Sequence, residues 1–311
     1  MTDPGISQDQ SMEMTGTITG MWDDEAIIAA RLPREKVFIS ERISRGGYGE
    51  VYLGLFNDET IAVKMLLSET RKSISHVNKF LSEVKMMAMM EHPRITKFIG
   101  VAWDSLADLC VVSEYMAGGD LRAQLNKYDE TGHQKGFDKT KVKMALHVAH
   151  ALTYMHSLEP SVIHRDLKSK NILLNGDPDA KLTDFGISRE RVDQTMTARV
   201  GTSLWMAPEV MLGEKYDDKA DIFSFGVVLS ELDSHSLPYS HTKESSNSDR
   251  KMPDAVILQQ VMLGKLSVQF TQSTFQSMTD LGLACVSIDP DARLTSVEAL
   301  GRLRHILSQE M

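Results

Sequence analysis

His164-Arg-Asp-Leu-Lys-Ser-Lys-Asn171, followed after a short hairpin by Asp184-Phe-Gly186, is the stretch from which the rest of the chain can be read. Asp166, Asn171 and Asp184 offer oxygen atoms and a base around one expected hairpin, 172–175 and 181–183, turned by Gly176-Asp177-Pro178-Asp179. Hard magnesium ions take such oxygens and complete their shell with phosphate and water. A polar loop with incidental carboxylates would not reproduce this spacing.

Two features upstream gain meaning beside it. Ile43-Ser-Arg-Gly-Gly-Tyr-Gly-Glu-Val51 lies between two expected strands. Its glycines let the backbone turn closely enough for amides to face phosphate oxygens. Because it joins strand to strand, it does not fit a dinucleotide-binding motif or a Walker loop, which join strand to helix. Ile61-Ala-Val-Lys64 then puts a lysine inside an apolar strand. Alone it reads as an edge lysine reaching water. The spacing predicts a helix over 75–91, with Phe80, Val84, Met87 and Met90 on one stripe and Glu83 on that same stripe. A carboxylate there needs a partner, and Lys64 and Glu83 solve each other's desolvation problem.

Working outward, 37–43, 51–56 and 60–66 read as an antiparallel meander, and 95–103 and 109–114 as two further strands. Gly118-Gly119 breaks the chain. Beyond it the expected helices are 120–128, 139–157, 219–234, 255–263, 277–287 and 296–307. A β-rich first third precedes a mainly helical remainder, an α+β arrangement of two lobes. Residues 1–22 read as a flexible leader and 23–36 as a short helical lead-in stopped at Pro33. Residues 241–253 read as an aperiodic polar loop, best taken as solvated.

Composition sets limits on function. The 311 residues are 42% apolar and 25% charged, ordinary for a globular chain and ample for a core without staples. The two cysteines, Cys110 and Cys285, sit in separate apolar runs, so a disulfide framework and a cysteine zinc site are both disfavoured. A net charge of −9 without a long basic run argues against nucleic acid. No apolar stretch approaches the roughly 18 residues of a bilayer span. The polar first twenty residues, without Lys or Arg, resemble neither a secretory signal nor a transit peptide. The expected location is the cytoplasm, or the cytoplasmic face of a membrane if a longer natural chain carries an anchor.

The glycine loop, Ile-Ala-Val-Lys64, HRDLKSKN, DFG and Ala207-Pro208-Glu209 resemble the protein-kinase signature set, in order. The resemblance covers about 37–308, with a small β-rich lobe over 37–116 carrying one helix and a larger helical lobe over 117–308. Gly201-Thr-Ser-Leu-Trp-Met-Ala-Pro-Glu209 is most similar to the tyrosine-kinase-like group, whose members mostly phosphorylate serine and threonine.

The resemblance implies the following roles. Lys64 contacts the α- and β-phosphates of ATP and pairs with Glu83; Asp166 accepts the proton of the acceptor hydroxyl; Asn171 and Asp184 hold Mg2+, with Mn2+ as an alternative. Ile43, Val51, Ala62 and Leu173 sandwich the adenine, and the backbone of a hinge at Glu114–Met116 hydrogen-bonds it. Ser44, Gly46 and Gly49 cover the phosphates, and Ser113 is a small gatekeeper. Lys168, with Thr202, marks a serine/threonine rather than a tyrosine acceptor, and its charge can neutralise the transferring phosphoryl group. Glu209 and Arg293 form a buried ion pair anchoring the activation segment. Met87, Phe98, His164 and Phe185 stack as a spine, and His164 is structural.

The family pattern departs at Ser44, which replaces the first glycine of the loop, and at Leu294, where a proline is usual; neither implies loss of function. Arg165 and Arg189 form a basic pair for a phosphate on the activation segment, with Thr195 and Thr197 as candidates. The partners implied are proteins with Ser/Thr acceptors. The rivals are a pseudokinase, disfavoured because Lys64, Glu83, Asp166, Asn171 and Asp184 are all present, and a small-molecule kinase, disfavoured by the 184–209 segment. Substrate identity and oligomeric state are not written in the residues.

Overall fold

The computed structural model of the chain describes residues 24–47, 49–105, 107–177, 179–185, 204–244, 252–271 and 275–310. Strands β1 (Phe38–Arg45), β2 (Gly49–Phe56), β3 (Glu59–Leu66), β4 (Phe98–Ala102) and β5 (Cys110–Glu114) make one antiparallel sheet in the order β1-β2-β3-β5-β4. Asn57 and Asp58 both adopt positive φ between β2 and β3, the two-residue turn that matches strand twist. Alternation along β3 then divides the strand. Ile61 and Val63 are buried with Val37, Ala102, Cys110 and Val112 on one face, so Ala62 and Lys64 lie on the other.

That second face carries the N-lobe helix. A short helix α1 (Glu25–Ala29) precedes the sheet, and α2 (Ile74–Ala88) crosses it with Val77, Phe80, Leu81, Val84 and Met87 buried. The apolar stripe read from the sequence is therefore the packed face. The helix stops earlier than 91, because Met89 and Met90 donate to Met86 and Met87 in a tighter turn just before Pro93.

The helical lobe comprises α3 (Leu121–Glu130), α4 (Lys139–His156), α5 (Pro208–Met211), α6 (Lys219–Ser234), α7 (His241–Glu244), α8 (Asp254–Met262), α9 (Gln276–Cys285) and α10 (Ser296–Gln309). From Ala220 to Asp233 every residue of α6 is buried, so it is the axis of the lobe rather than an amphipathic surface helix. The α+β, two-lobed expectation holds. The described part of 241–253 begins with the α7 turn, where the Thr242 hydroxyl donates to the Tyr239 carbonyl, and so is not loop throughout. Among the described residues no helix is long and apolar enough to cross a membrane.

The hairpin β6 (Ile172–Leu174) and β7 (Ala180–Leu182) is bonded on both sides to the segments that link the lobes. On one side Thr96 N–H donates to Leu182 O at 2.9 Å, and Leu182 N–H to Arg94 O at 2.9 Å. This bonding takes Ile95 and Thr96 out of the strand expected over 95–103, which contracts to β4. On the other side Gly118 N–H donates to Leu174 O, and Leu174 N–H to Gly119 O, each at 2.8 Å. The approach is so close that a Cβ on Gly118 would lie 2.5 Å from Asn175 O. Glycine is required there because the two backbones touch. The residues flanking this hairpin are thus held against both lobes.

Candidate active site

Register fixes the first half of the site. Lys64 pairs with Val51 on β2 and Val111 on β5, which leaves its side chain on the face covered by α2. Its ammonium lies 2.6 Å from Glu83 Oε1 and 2.6 Å from Asp184 Oδ1. Three elements distant in sequence therefore meet at one nitrogen. Removal from water works against the charged lysine, but the Asp184 and Glu83 carboxylates outweigh it and push its pKa well above the ordinary value. The Lys64 charge holds the Asp184 carboxyl below its usual range.

The sign of the resulting pH dependence is set. A carboxylate whose folded pKa is depressed contributes stability above its unfolded value, near 4, and loses it as pH falls through the folded value. The stability difference between the native chain and Asp184→Asn should therefore be constant from pH 8 to 5 and shrink below about pH 4. Thermal unfolding of both across that range checks this; a difference already declining at pH 6 would contradict it.

The second half is the loop before β6. Asp166 Oδ2 accepts from Lys168 Nζ at 2.8 Å and from Asn171 Nδ2 at 3.1 Å, while the same Asn171 amide also donates to Asp166 O at 2.8 Å. Thr183 N–H donates to Asn171 O at 3.1 Å, which sets Asn171 beside the residue preceding Asp184. Arg165 (φ 67°) and Asp184 (φ 58°) both adopt left-handed backbone that costs a non-glycine residue free energy. Asp221 on α6 holds the first in place, accepting from His164 N–H at 2.7 Å and Arg165 N–H at 2.9 Å. Burial drives the Asp221 carboxyl upward, yet the His156 hydrogen bond at 3.0 Å, the nearby imidazole charges and the His164 amide bring it below its ordinary value. It stays an anion and an acceptor.

His164 lies with its Nε2 3.1 Å from Thr183 O and its ring 5.4 Å from that of Phe185. Met87 and Phe185 are buried in the same core, and Phe98 packs against it. These positions fit a structural column.

Around the expected adenine position the side chains stay partly open. Ile43 is 44% exposed, and Val51, Ala62 and Leu173 are half-buried. Ala62 sits opposite Ser113, and Leu173 forms a bridge with Asp120. Ser44 pairs with Val51 inside the ladder, so serine is accommodated there, and Gly46 N–H donates to Gly49 O at 2.8 Å to close the loop. Two hinge groups are already committed: Glu114 N–H to Lys97 O at 3.0 Å, and Met116 O to Gly119 N–H at 3.2 Å.

Below the site, Arg293 grips Glu209 with two bonds of 2.6 and 2.7 Å. Arg165 lies over the Tyr216 ring at 5.8 Å, and its buried Nε has no hydrogen-bond partner among the described residues. Gly186, Arg189, Thr195, Thr197 and Thr202 lie outside the described residues.

Four residues with no role in the sequence reading matter here, Asp221 among them although its segment Asp221–Gly226 extends the resemblance. Asp221, His156 and Glu231 organise the loop from beneath. Glu231 is fully buried and accepts from Arg122 at 3.0 Å, Ser169 at 2.7 Å and Trp205 at 2.7 Å. Burial raises its pKa despite those donors. Lys181 reaches both Glu114 oxygens, at 2.7 and 2.8 Å, tying β7 to the hinge. A signal existed for Asp221 and Glu231: carboxylates within an otherwise apolar helix must find donors.

Asn171 and Asp184 supply two oxygen donors, and among the described residues no group of three or more His, Cys, Asp or Glu is placed to hold a metal ion by itself. A divalent ion there would draw its remaining shell from phosphate and water, which is the habit of magnesium. The donor set fits such an ion.

A family model described as the protein kinase domain matches residues 38–303. The serine/threonine-protein kinase STY17 of Arabidopsis thaliana is 32% identical over 274 residues, covering 87% of this chain and 45% of STY17. STY46 of the same plant is 38% identical over 203 residues, covering 64% and 34%. The serine/threonine/tyrosine-protein kinase HT1, also from Arabidopsis thaliana, is 36% identical over 208 residues, covering 66% and 52%. The chain spans about half or less of the length of these relatives.

Proposed function

The chain belongs to the protein kinase domain family, and from that premise we propose that it is an ATP-dependent protein serine/threonine kinase of the tyrosine-kinase-like group, acting in intracellular signalling. The observation that carries this reading is the Lys64 ammonium held at 2.6 Å from both Glu83 and Asp184, beside a loop that presents Asp166, Lys168 and Asn171.

The reaction follows from these groups. Lys64 binds the α- and β-phosphates, and Glu83 keeps it aimed. Asp166 orients the acceptor hydroxyl and takes its proton as the oxygen bonds to the γ-phosphorus and the bond to the β–γ bridging oxygen breaks, releasing ADP. Lys168, already on Asp166, neutralises charge on the transferring group, and together with Thr202 it favours a serine or threonine acceptor. Asn171 and Asp184 would hold Mg2+, or Mn2+ in its place, which when bound neutralises phosphate charge. Ile43, Val51, Ala62 and Leu173 sandwich the adenine, backbone groups of Glu114 and Met116 hydrogen-bond it, and Ser113 leaves a pocket open behind it. Ser44, Gly46 and Gly49 roof the phosphates.

Phosphate incorporation into a generic basic protein and a Ser, Thr and Tyr peptide library, with each metal, tests the proposal. Transfer to Ser and Thr that disappears in Asp166→Asn supports it. Nucleotide binding without any transfer would identify a binding module instead.

Activity would rise with phosphorylation at Thr195 or Thr197, received by Arg165 and Arg189. The unpartnered Nε of Arg165 supports this, since phosphate oxygens make strong charge-assisted bonds to guanidinium. Replacing both threonines by alanine should lower turnover by about tenfold or more, given one to three new charge-assisted bonds. Undiminished turnover, with mass spectrometry showing no phosphate on this segment of the native chain, would refute it. The substrates are proteins, and the setting is the cytoplasm or the cytoplasmic face of a membrane.

A further inference from the structure

Residues 24–33 lie outside the matched family region, 38–303, yet they are built into the N-lobe. Ile27 is fully buried in the same core cluster as Val77, Val84 and Met87 of α2. Asp24 does two things with one carboxylate. Its Oδ1 accepts from Ala26 N–H at 3.0 Å and caps α1, while its Oδ2 lies 2.5 Å from Lys85 Nζ on α2. Lys85 is two residues from Glu83.

The other end of the segment is tied to the sheet. Val101 N–H donates to Ala30 O at 3.0 Å, and Leu32 N–H donates to Val101 O at 2.8 Å, adding a short parallel pairing along the open edge of β4. Arg31 stacks its guanidinium 4.2 Å over the Trp103 ring and donates to Trp103 O at 3.0 Å. The pairing is possible only because residue 100 is glycine: a Cβ there would lie 2.5 Å from Leu32 Cγ and 2.6 Å from Ala30 O.

One short segment thus touches α2 at one end and the sheet at the other. The Lys64–Glu83 contact needs that same distance kept, since Lys64 belongs to β3 and Glu83 to α2. We propose that residues 24–33 are a built-in brace that sets α2 against the sheet, with Asp24 and Ile27 as positioning residues that act through Glu83 on Lys64. The inference rests on the kinase reading for its effect on turnover, though not for its effect on α2. The Lys85 contact is the leading cause of a lowered Asp24 pKa, so the Asp24 carboxyl is an anion at neutral pH.

The test uses the full chain with Asp24→Lys, Lys85→Asp, the double exchange of the two charges, and Gly100→Ala. Amide hydrogen exchange of residues 74–88 is followed beside steady-state kinetics with ATP varied. Asp24→Lys should speed exchange in α2 and raise the KM for ATP about three- to fivefold, as expected for one partly exposed ion pair. The double exchange should recover the share of both effects that belongs to the ion pair, though not the α1 cap, because a lysine ammonium cannot accept from Ala26 N–H. Gly100→Ala, which expels the segment without touching α2, should reproduce the effect about tenfold or more. Unchanged exchange in α2 for Asp24→Lys would overturn the brace, as would a double exchange no closer to the native chain than Asp24→Lys alone. Should Gly100→Ala not fold, the exposed pair still decides. If no protein, native included, transfers phosphate, the kinase reading fails, while the exchange data alone decide the brace.

Discussion

Replacing Asp166 by asparagine is expected to reduce phosphate transfer by at least about 10²- to 10⁴-fold, the usual worth of a positioned general base, while leaving nucleotide-dependent thermal stabilisation in place. The substitution keeps the side chain's shape and one acceptor oxygen, so the Asn171 contact can be retained. What is lost is the ability to take a proton and the anion that holds Lys168 at 2.8 Å. Lys64→Met is the informative contrast. It removes the cation shared by Glu83 and Asp184, leaving two carboxylates near one another with nothing between them. That variant should lose nucleotide stabilisation as well as turnover. Radiolabel transfer and thermal shift with ATP and magnesium separate the two, and full activity in Asp166→Asn would sink the assignment.

The largest effect on stability is expected from Arg293→Ala. The Arg293 side chain is 0% exposed and makes five hydrogen bonds: two to Glu209, and one each to the carbonyls of Ser287, Lys219 and Ile288. Truncation strands a buried Glu209 carboxylate and three carbonyls at once. Breaking a buried pair from one side costs roughly 3–5 kcal/mol, which for a domain of this size corresponds to a fall in Tm on the order of 10 °C. Arg293→Lys should recover little, because a single ammonium cannot reproduce the bidentate fork. Urea denaturation of native and variant chains checks the magnitude; a loss below about 1 kcal/mol would place the pair among ordinary surface bridges.

The Lys64–Glu83 contact was legible before the fold because two local patterns each contained a charged residue in an apolar setting, and each charge is tolerable only with the other. The helical lobe was legible as a succession of helical segments after Gly118-Gly119, and β2 and β3 as β-branched and aromatic runs broken at Asn57-Asp58-Glu59, whereas the all-round burial of α6 was not. Neither was Asp184 as a third partner of Lys64. Its expected role as a metal ligand followed from its oxygen donors and the motif spacing, but its contact with Lys64 depends on β7 bonding to Arg94 and Thr96. Glu231 and Asp221 announced by their setting only that they are buried; nothing local says that their donors come from Trp205, Arg122, Ser169 and the His164–Arg165 amides. The lead-in helix was over-extended for a related reason: Ala30 and Leu32 are good helix formers, but pairing with Val101 satisfies their backbone groups better than another helical turn.

Periodicity and the order of the motifs were enough to determine the class of fold and the residue types the chemistry requires, because both depend on interactions within a few turns of chain. Which carboxylate meets which donor was decided only in three dimensions. Charges more than a hundred positions apart become neighbours through backbone bonding between loops, and such bonds carry no side-chain signature.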